Sequence, residues 1–252
     1  MKSSPSRLIY CLWGALLLSL LCLGAQGDEQ TCDITPTGVL AFSSVREGNS
    51  NIYIVNADGT NLRQVTSGTT RELEPCWSPD GGRIAYQSQR PSWALYTAQI
   101  DGADELQVTT SLSWSPAWSP DSRWIAYSTG SSIYRIAPSG ENRELLAQGG
   151  NCGRPAWSTD GQAIAFHSTR SGNNEIYILR IADGELTRIT DDPARDFMAT
   201  WSPDGQRLAF ASDRDGDLEI YTVRADGSGL VQLTNNTFED MLPAWSPDGG
   251  WI

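Results

Sequence analysis

From Gly38 onward the apolar positions fall in short runs of six or seven, bounded by turn formers, and no stretch of useful length carries a helical period. RIAYQS from Arg83, WIAYST from Trp124, AIAFHS from Ala163 and RLAFAS from Arg207 are short and rich in β-branched and aromatic residues, so each predicts a strand. Before each stands a second phrase. It reads Trp77-Ser-Pro-Asp-Gly, Trp118-Ser-Pro-Asp-Ser, Trp157-Ser-Thr-Asp-Gly and Trp201-Ser-Pro-Asp-Gly, and it returns at Trp245. Ser, Pro, Asp and Gly in that order suit a type I turn place by place. After each strand phrase come Leu95-Tyr96, Ile133-Tyr134, Ile176-Tyr177 or Ile220-Tyr221, running toward turns such as Asp101-Gly102 or Asp226-Gly227. QVT at 107–109, RIT at 188–190 and QLT at 232–234 close the unit, and the third unit is weakest, with LLA at 145–147.

The tryptophans recur every 39 to 44 residues. Each unit therefore predicts four short antiparallel strands, A to D, with the tryptophan on strand A. Ile84 and Tyr86 point one way along strand B and Ala85 the other, so both faces of the sheet are apolar. One such unit cannot bury both faces, and stacking units radially does, as in a β-propeller. Trp77, Trp118, Trp157, Trp201 and Trp245 are read as structural because they occupy one place in every unit. The first unit starts with VLAFSS after Gly38 and has strands B, C and D only. Leu242-Pro-Ala-Trp-Ser at the other end is a strand A without its blade. The fold expected is all-β, with five blades closed by the C-terminal strand joining the first. The rival is an incomplete six-bladed ring.

Residues 1–27 carry Lys2 and Arg7, then an apolar run, then small residues before Asp28, which is the pattern of a cleaved secretory signal. Residues 28–37 read as a short tail and 38–252 as the propeller. Losing Lys2 and Arg7 takes the formal charge from −12 to −14, a balance that disfavours nucleic acid and anionic membrane surfaces. The expected protein is exported to the periplasm or beyond, monomeric, and without stable membrane insertion once the signal is gone. Cys32, Cys76 and Cys152 remain after cleavage. Cys76 fills the small-residue slot before a repeat tryptophan and reads as a buried thiol.

The phrase WSPDGQRLAFASDRDGDLEIYTVRADGSGLVQLT at 201–234 resembles the TolB-like propeller repeat, a WD40-like pattern also called PD40. The resemblance covers about residues 38–252. It implies a propeller scaffold of the bacterial periplasm that binds protein partners in the Tol–Pal system. TolB carries an N-terminal α/β domain ahead of its six-bladed propeller, and about ten residues between the signal and the first strand leave no room for one. Similar repeats form the propeller of prolyl-oligopeptidase-type peptidases, so a fragment of such a protein is an alternative, as is a small-ligand or metal-binding propeller enzyme.

The residues offer little chemistry. His167 is the one histidine, and no G-x-S-x-G elbow accompanies it. No catalytic, cofactor or metal residue is expected. Asp213, Asp215, Asp217 and Glu219 surround Gly216, but the spacing departs from the EF-hand pattern and the stretch reads as a solvated loop between strands B and C. Loops at the B–C and D–A face vary between units, as recognition loops do. Five residues before a tryptophan, on the D–A loops, stand Glu72, Asp196 and Asp240. They are candidates for an acidic mouth that takes protein or peptide partners, basic ones included. Local pairing with Arg46, Arg71, Arg195 or Arg214 is the competing reading.

Overall fold

The computed structural model describes residues 38–46 and 48–252. The expected signal and tail, and Cys32, lie outside the described residues. The first unit holds β1 (Val39–Val45), β2 (Ser50–Asn56) and β3 (Arg63–Gln64). The second holds β4 (Glu72–Trp77), β5 (Arg83–Gln89), β6 (Trp93–Gln99) and β7 (Leu106–Gln107). The third holds β8 (Trp114–Trp118), β9 (Ile125–Ser128), β10 (Gly130–Ile136) and the first part of β11 (Glu144–Trp157). The fourth takes the rest of β11, then β12 (Ala163–Ser168), β13 (Glu175–Arg180) and β14 (Leu186–Arg188). The fifth holds β15 (Asp196–Trp201), β16 (Arg207–Ser212), β17 (Glu219–Arg224) and β18 (Val231–Gln232). Every ladder is antiparallel between chain neighbours. β11 runs without a break from strand D of the third blade into strand A of the fourth, so those two blades share a seven-stranded sheet. This happens where the closing phrase of the unit is weakest.

The turn between strands A and B works as its sequence implies. The Ser78 hydroxyl donates to Asp80 Oδ1 at 2.6 Å and accepts from the Arg83 amide at 2.9 Å. Asp80 Oδ1 also accepts the Gly82 amide at 3.0 Å. These bonds hold the Asp80 carboxyl below the usual aspartate range. Gly81 sits at φ +70°, and in the third blade Ser122 takes the same left-handed place at φ +58°. Successive turns stack. A Cβ on Gly161 would meet Pro120, one on Gly205 would meet Thr159, and one on Gly249 would meet Pro203.

Four buried clusters join the five blades in series. The first centres on Ile54, Ile84 and Tyr86, the second on Leu95, Trp118 and Tyr127, the third on Ile133, Trp157 and Phe166, and the fourth on Ile176, Trp201 and Phe210. Cys76 and Cys152 are buried in the second and third. Three of the repeat tryptophans also reach the blade before them. Trp118 Nε1 donates to Cys76 O at 3.2 Å, Trp157 Nε1 to Ala117 O at 3.1 Å, and Trp201 Nε1 to Ala156 O at 3.1 Å. The acceptor is always the carbonyl one residue before the preceding tryptophan. Within each blade an aromatic pair from strands B and C stacks with ring centres 5.7–6.1 Å apart.

The expected closure by the C-terminal strand is not formed. The first sheet keeps three strands in the order β1-β2-β3, and residues 242–246 pair with no strand. A five-bladed ring needs a fifth buried interface, and no cluster of buried residues joins the fifth blade to the first among the described residues. Apolar side chains at both ends stay exposed instead, among them Val39 and Val45 at one and Met241, Trp251 and Ile252 at the other. The final turn seats on Pro203, as each earlier turn seats on its predecessor. Among the described residues the first blade has no strand A, and the buried Nε1 of Trp77 lacks a partner, as does that of Trp245.

This arrangement sets an expectation for stability. Trp118→Phe, Trp157→Phe and Trp201→Phe each strand a carbonyl and lose a hydrogen bond, and each should cost about 1–2 kcal/mol more than Trp77→Phe, which removes a donor that has no acceptor. Urea denaturation of the four variants checks this, and equal losses would contradict it.

Candidate functional site

Strand A lies innermost, because the A strands β4, β8, β11 and β15 contact one another in succession. Counting from the residue five before each tryptophan (Glu72, Ser113, Cys152 and Asp196), each A strand is interrupted by a bulge between the second and fifth residues, where the register with strand B shifts. The third residue takes a left-handed conformation every time: Glu74 at φ +51°, Ser115 at +53°, Arg154 at +47°, Met198 at +61° and Leu242 at +60°. Pro75, Pro116, Pro155 and Pro243 follow four of them, and a bulge is where a strand tolerates a residue with no amide hydrogen. The bulge leaves two neighbouring side chains half-exposed in each of the four A strands while the first residue stays buried. The resulting inner row is Leu73 and Glu74, Trp114 and Ser115, Gly153 and Arg154, Phe197 and Met198.

The inner row is tied across blades. Arg154 Nη2 donates to Glu74 Oε1 at 2.8 Å, from the fourth blade to the second. The Ser115 amide and hydroxyl, from the blade between, donate to Glu74 Oε2, each at 3.2 Å. Trp114, Phe197 and Met198 stand half-exposed in the same row of the neighbouring A strands. The site is thus a mostly apolar wall with one fixed ion pair, suited to binding an extended or aromatic-bearing partner.

His167 fills the place in this wall that a side chain on Gly153 would take. It pairs across the ladder with Gly153, which leaves room for the ring, because a Cβ there would come within 2.5 Å of Nε2. The imidazole meets Phe197 edge-on with ring centres 6.2 Å apart. Burial, with the Arg154 charge beside it, lowers its pKa to about 4, so the ring is neutral near pH 7. Its Nδ1 has no hydrogen-bond partner.

The three acids singled out in the sequence are placed differently. Glu72 and Asp196 are the buried first residues of β4 and β15, each 0 % exposed. Arg90 pairs with Glu72 and reaches Glu105 at 2.7 Å. Arg214 Nη2 lies 2.9 Å from both carboxylate oxygens of Asp196. Burial still pushes the Asp196 carboxyl up, against Ser212 and Arg214, which lower it. Neither acid reaches a partner, and the local pairing with Arg214 is formed. Asp240 remains half-exposed and accepts from Asn236 Nδ2 at 2.7 Å. The three do not form one mouth. Arg90 and Arg214, which neutralise Glu72 and Asp196, share one place with Arg46 and Arg170: each follows strand B by a residue or two and caps the aromatic pair.

A family model described as the TolB beta propeller domain matches residues 89–252. The chain belongs to the TolB β-propeller family. A TolB homolog of Chlorobium luteolum is 32% identical over 153 residues, 58% of this chain and 35% of that protein. The Tol-Pal system protein TolB of Bordetella pertussis is 33% identical over 155 residues, again 58% of this chain and 35% of the relative. The matched part thus spans about a third of the length of these curated relatives. The solved structure of putative TolB from Agrobacterium tumefaciens superposes with a TM-score of 0.72 at 25% identity, covering 84% of this chain and 83% of that one. For this member of the TolB family, the inner row of A-strand residues is where blades with different side chains converge.

The half-buried histidine gives this site a pH signature. With a folded pKa of about 4 against an ordinary 6.5, the unfolded chain binds a proton between those values and the folded chain does not. Stability from His167 is therefore fully present above pH 6.5 and is lost as pH falls toward 4, by about 2–3 kcal/mol. His167→Gln, which places at 167 the residue found at the matching Gln87, should flatten the fall between pH 7 and 4.5. Thermal melts across that range check it, and an unchanged slope would contradict it. Arg214→Ala should be costly at any pH in that range, by about 3–5 kcal/mol, because it leaves Asp196 buried without a counter-charge. Urea titration measures this, and a loss under about 1 kcal/mol would show that the pair is not needed.

Proposed function

We propose that this chain is a non-catalytic, exported propeller that binds protein or peptide partners along the inner row of its A strands. The observation that carries this reading is that half-exposed Leu73, Trp114, Phe197 and Met198 occupy the same row of neighbouring A strands as the fixed Glu74–Arg154 pair. Aromatic anchors beside a fixed charge pair are what partner-binding surfaces use. A catalytic role finds little support, since the one histidine is half-buried, neutral and packed on Phe197. Export to the periplasm or beyond follows from the expected signal at 1–27 and from the likeness to relatives named as Tol-Pal system proteins. No helix among the described residues is long and apolar enough to cross a membrane. The net charge of −12 favours basic partners, and Asp240 at the rim contributes locally. In this reading the protein works as a monomer.

The test is capture of partners from the native envelope with the purified protein as bait. Trp114→Ala combined with Phe197→Ala should lower capture at least about tenfold, the loss of one or two anchor residues. Glu239→Gln, an exposed acid outside the inner row, should leave capture near wild type. Unchanged capture by the double variant would overturn the assignment of the binding surface.

A further inference from the structure

The fourth and fifth blades handle the same buried acid in opposite ways. The first residue of strand C is a fully buried glutamate in both, Glu175 in β13 and Glu219 in β17. Glu175 is neutralised and satisfied. Arg188 Nη2 donates to its Oε1 at 2.8 Å, the Asp192 amide to Oε1 at 3.0 Å, and the Thr190 hydroxyl to Oε2 at 2.6 Å. In the fifth blade the place of Arg188 is taken by Gln232, which is uncharged and bonds Asp215 instead. Glu219 Oε1 accepts the Asn236 amide at 2.6 Å. Its Oε2 is buried with no partner.

Two more acids arrive at this place. Asp215 and Asp217 stand where the fourth blade has Ser171 and Asn173. A carboxylate oxygen from each of Asp215, Asp217 and Glu219 lies within 4.8 Å of the other two. The guanidinium in the same loop, Arg214, is committed to Asp196 through Nη2 at 2.9 Å. Three carboxylates, one wholly out of water, thus converge with one oxygen left over, and like charges held this close repel strongly in a buried setting.

We propose that Asp215, Asp217 and Glu219 bind a calcium ion. Calcium takes oxygen ligands at about 2.3–2.6 Å, so ligand atoms within 4.8 Å of one another fit around one ion. The donors are all hard oxygens, unlike the nitrogen and sulfur sets zinc prefers. Gly216, at φ +119°, lets the loop turn between the two aspartates. Asp215 is exposed, so water reaches the remaining positions. The sequence reading of this loop as a solvated turn rested on its poor fit to the EF-hand and lacked the burial of Glu219, which supplies the unpartnered oxygen.

The test is isothermal titration of the chelator-treated full chain with calcium chloride. One calcium per chain is expected, with a dissociation constant near the 10⁻⁴–10⁻³ M typical of weak extracellular sites. Asp217→Asn should weaken it at least about tenfold, a loss of about 1.4 kcal/mol. Gln232→Arg restores the counter-charge of the fourth blade. It should abolish calcium binding while its melting temperature in chelator equals or exceeds that of the wild type. No binding up to about 10 mM, well above the weak end of such sites, would overturn the proposal. So would binding unchanged in both variants, or magnesium binding as tightly as calcium.

Discussion

The structure depends on a hydrogen bond that crosses from one blade to the next. Trp118, Trp157 and Trp201 each lie in a buried interface, and the one polar atom of each indole needs an acceptor that its own blade does not supply. The carbonyl before the preceding tryptophan provides it at 3.1–3.2 Å. The bond fixes blade spacing and register together, because a slip of one residue along strand A turns the carbonyl away. It also makes each blade incomplete alone, as expected of an array whose stability lies in contacts between neighbours.

A second constraint operates within blades. Four acids, Glu72, Glu175, Asp196 and Glu219, sit at strand starts with no exposure. Three are matched by arginines, Arg90, Arg188 and Arg214. Arg90 and Arg214 also cap the aromatic pair of their own blade. The arginines thus join the apolar stack to the buried charge, and the acidic balance of the chain is less available to partners than composition implies. Function falls to the inner row, where side chains differ from blade to blade while the backbone repeats.

Much of the fold was legible because its signals are local. Ser78-Pro-Asp-Gly makes its turn from its own four residues, and the alternation in RIAYQS needs only a sheet with neighbours on both faces. The inner row was not legible in the same way. Leu73, Trp114, Gly153 and Phe197 share no repeated sequence phrase, and choosing the residue before each one, as in Glu72 and Asp196, lands on the buried side because strand side chains alternate. The prolines at 75, 116, 155 and 243 marked the bulge that produces the row. Burial of Glu72 was hidden because its partner, Arg90, lies across the blade. Closure failed as an expectation for a different reason: counting strand phrases supplies a strand for the first blade but says nothing about the curvature that would bring it there.

The most direct measurement of the blade-to-blade bond is the indole region of a proton–nitrogen NMR spectrum, with each Nε1–H assigned by single substitution. The Nε1 protons of Trp118, Trp157 and Trp201 are expected well downfield, as donors to carbonyls, and those of Trp77 and Trp245, which lack acceptors, are expected upfield of them. Five indole protons with the same hydrogen-bonded shift would contradict the account.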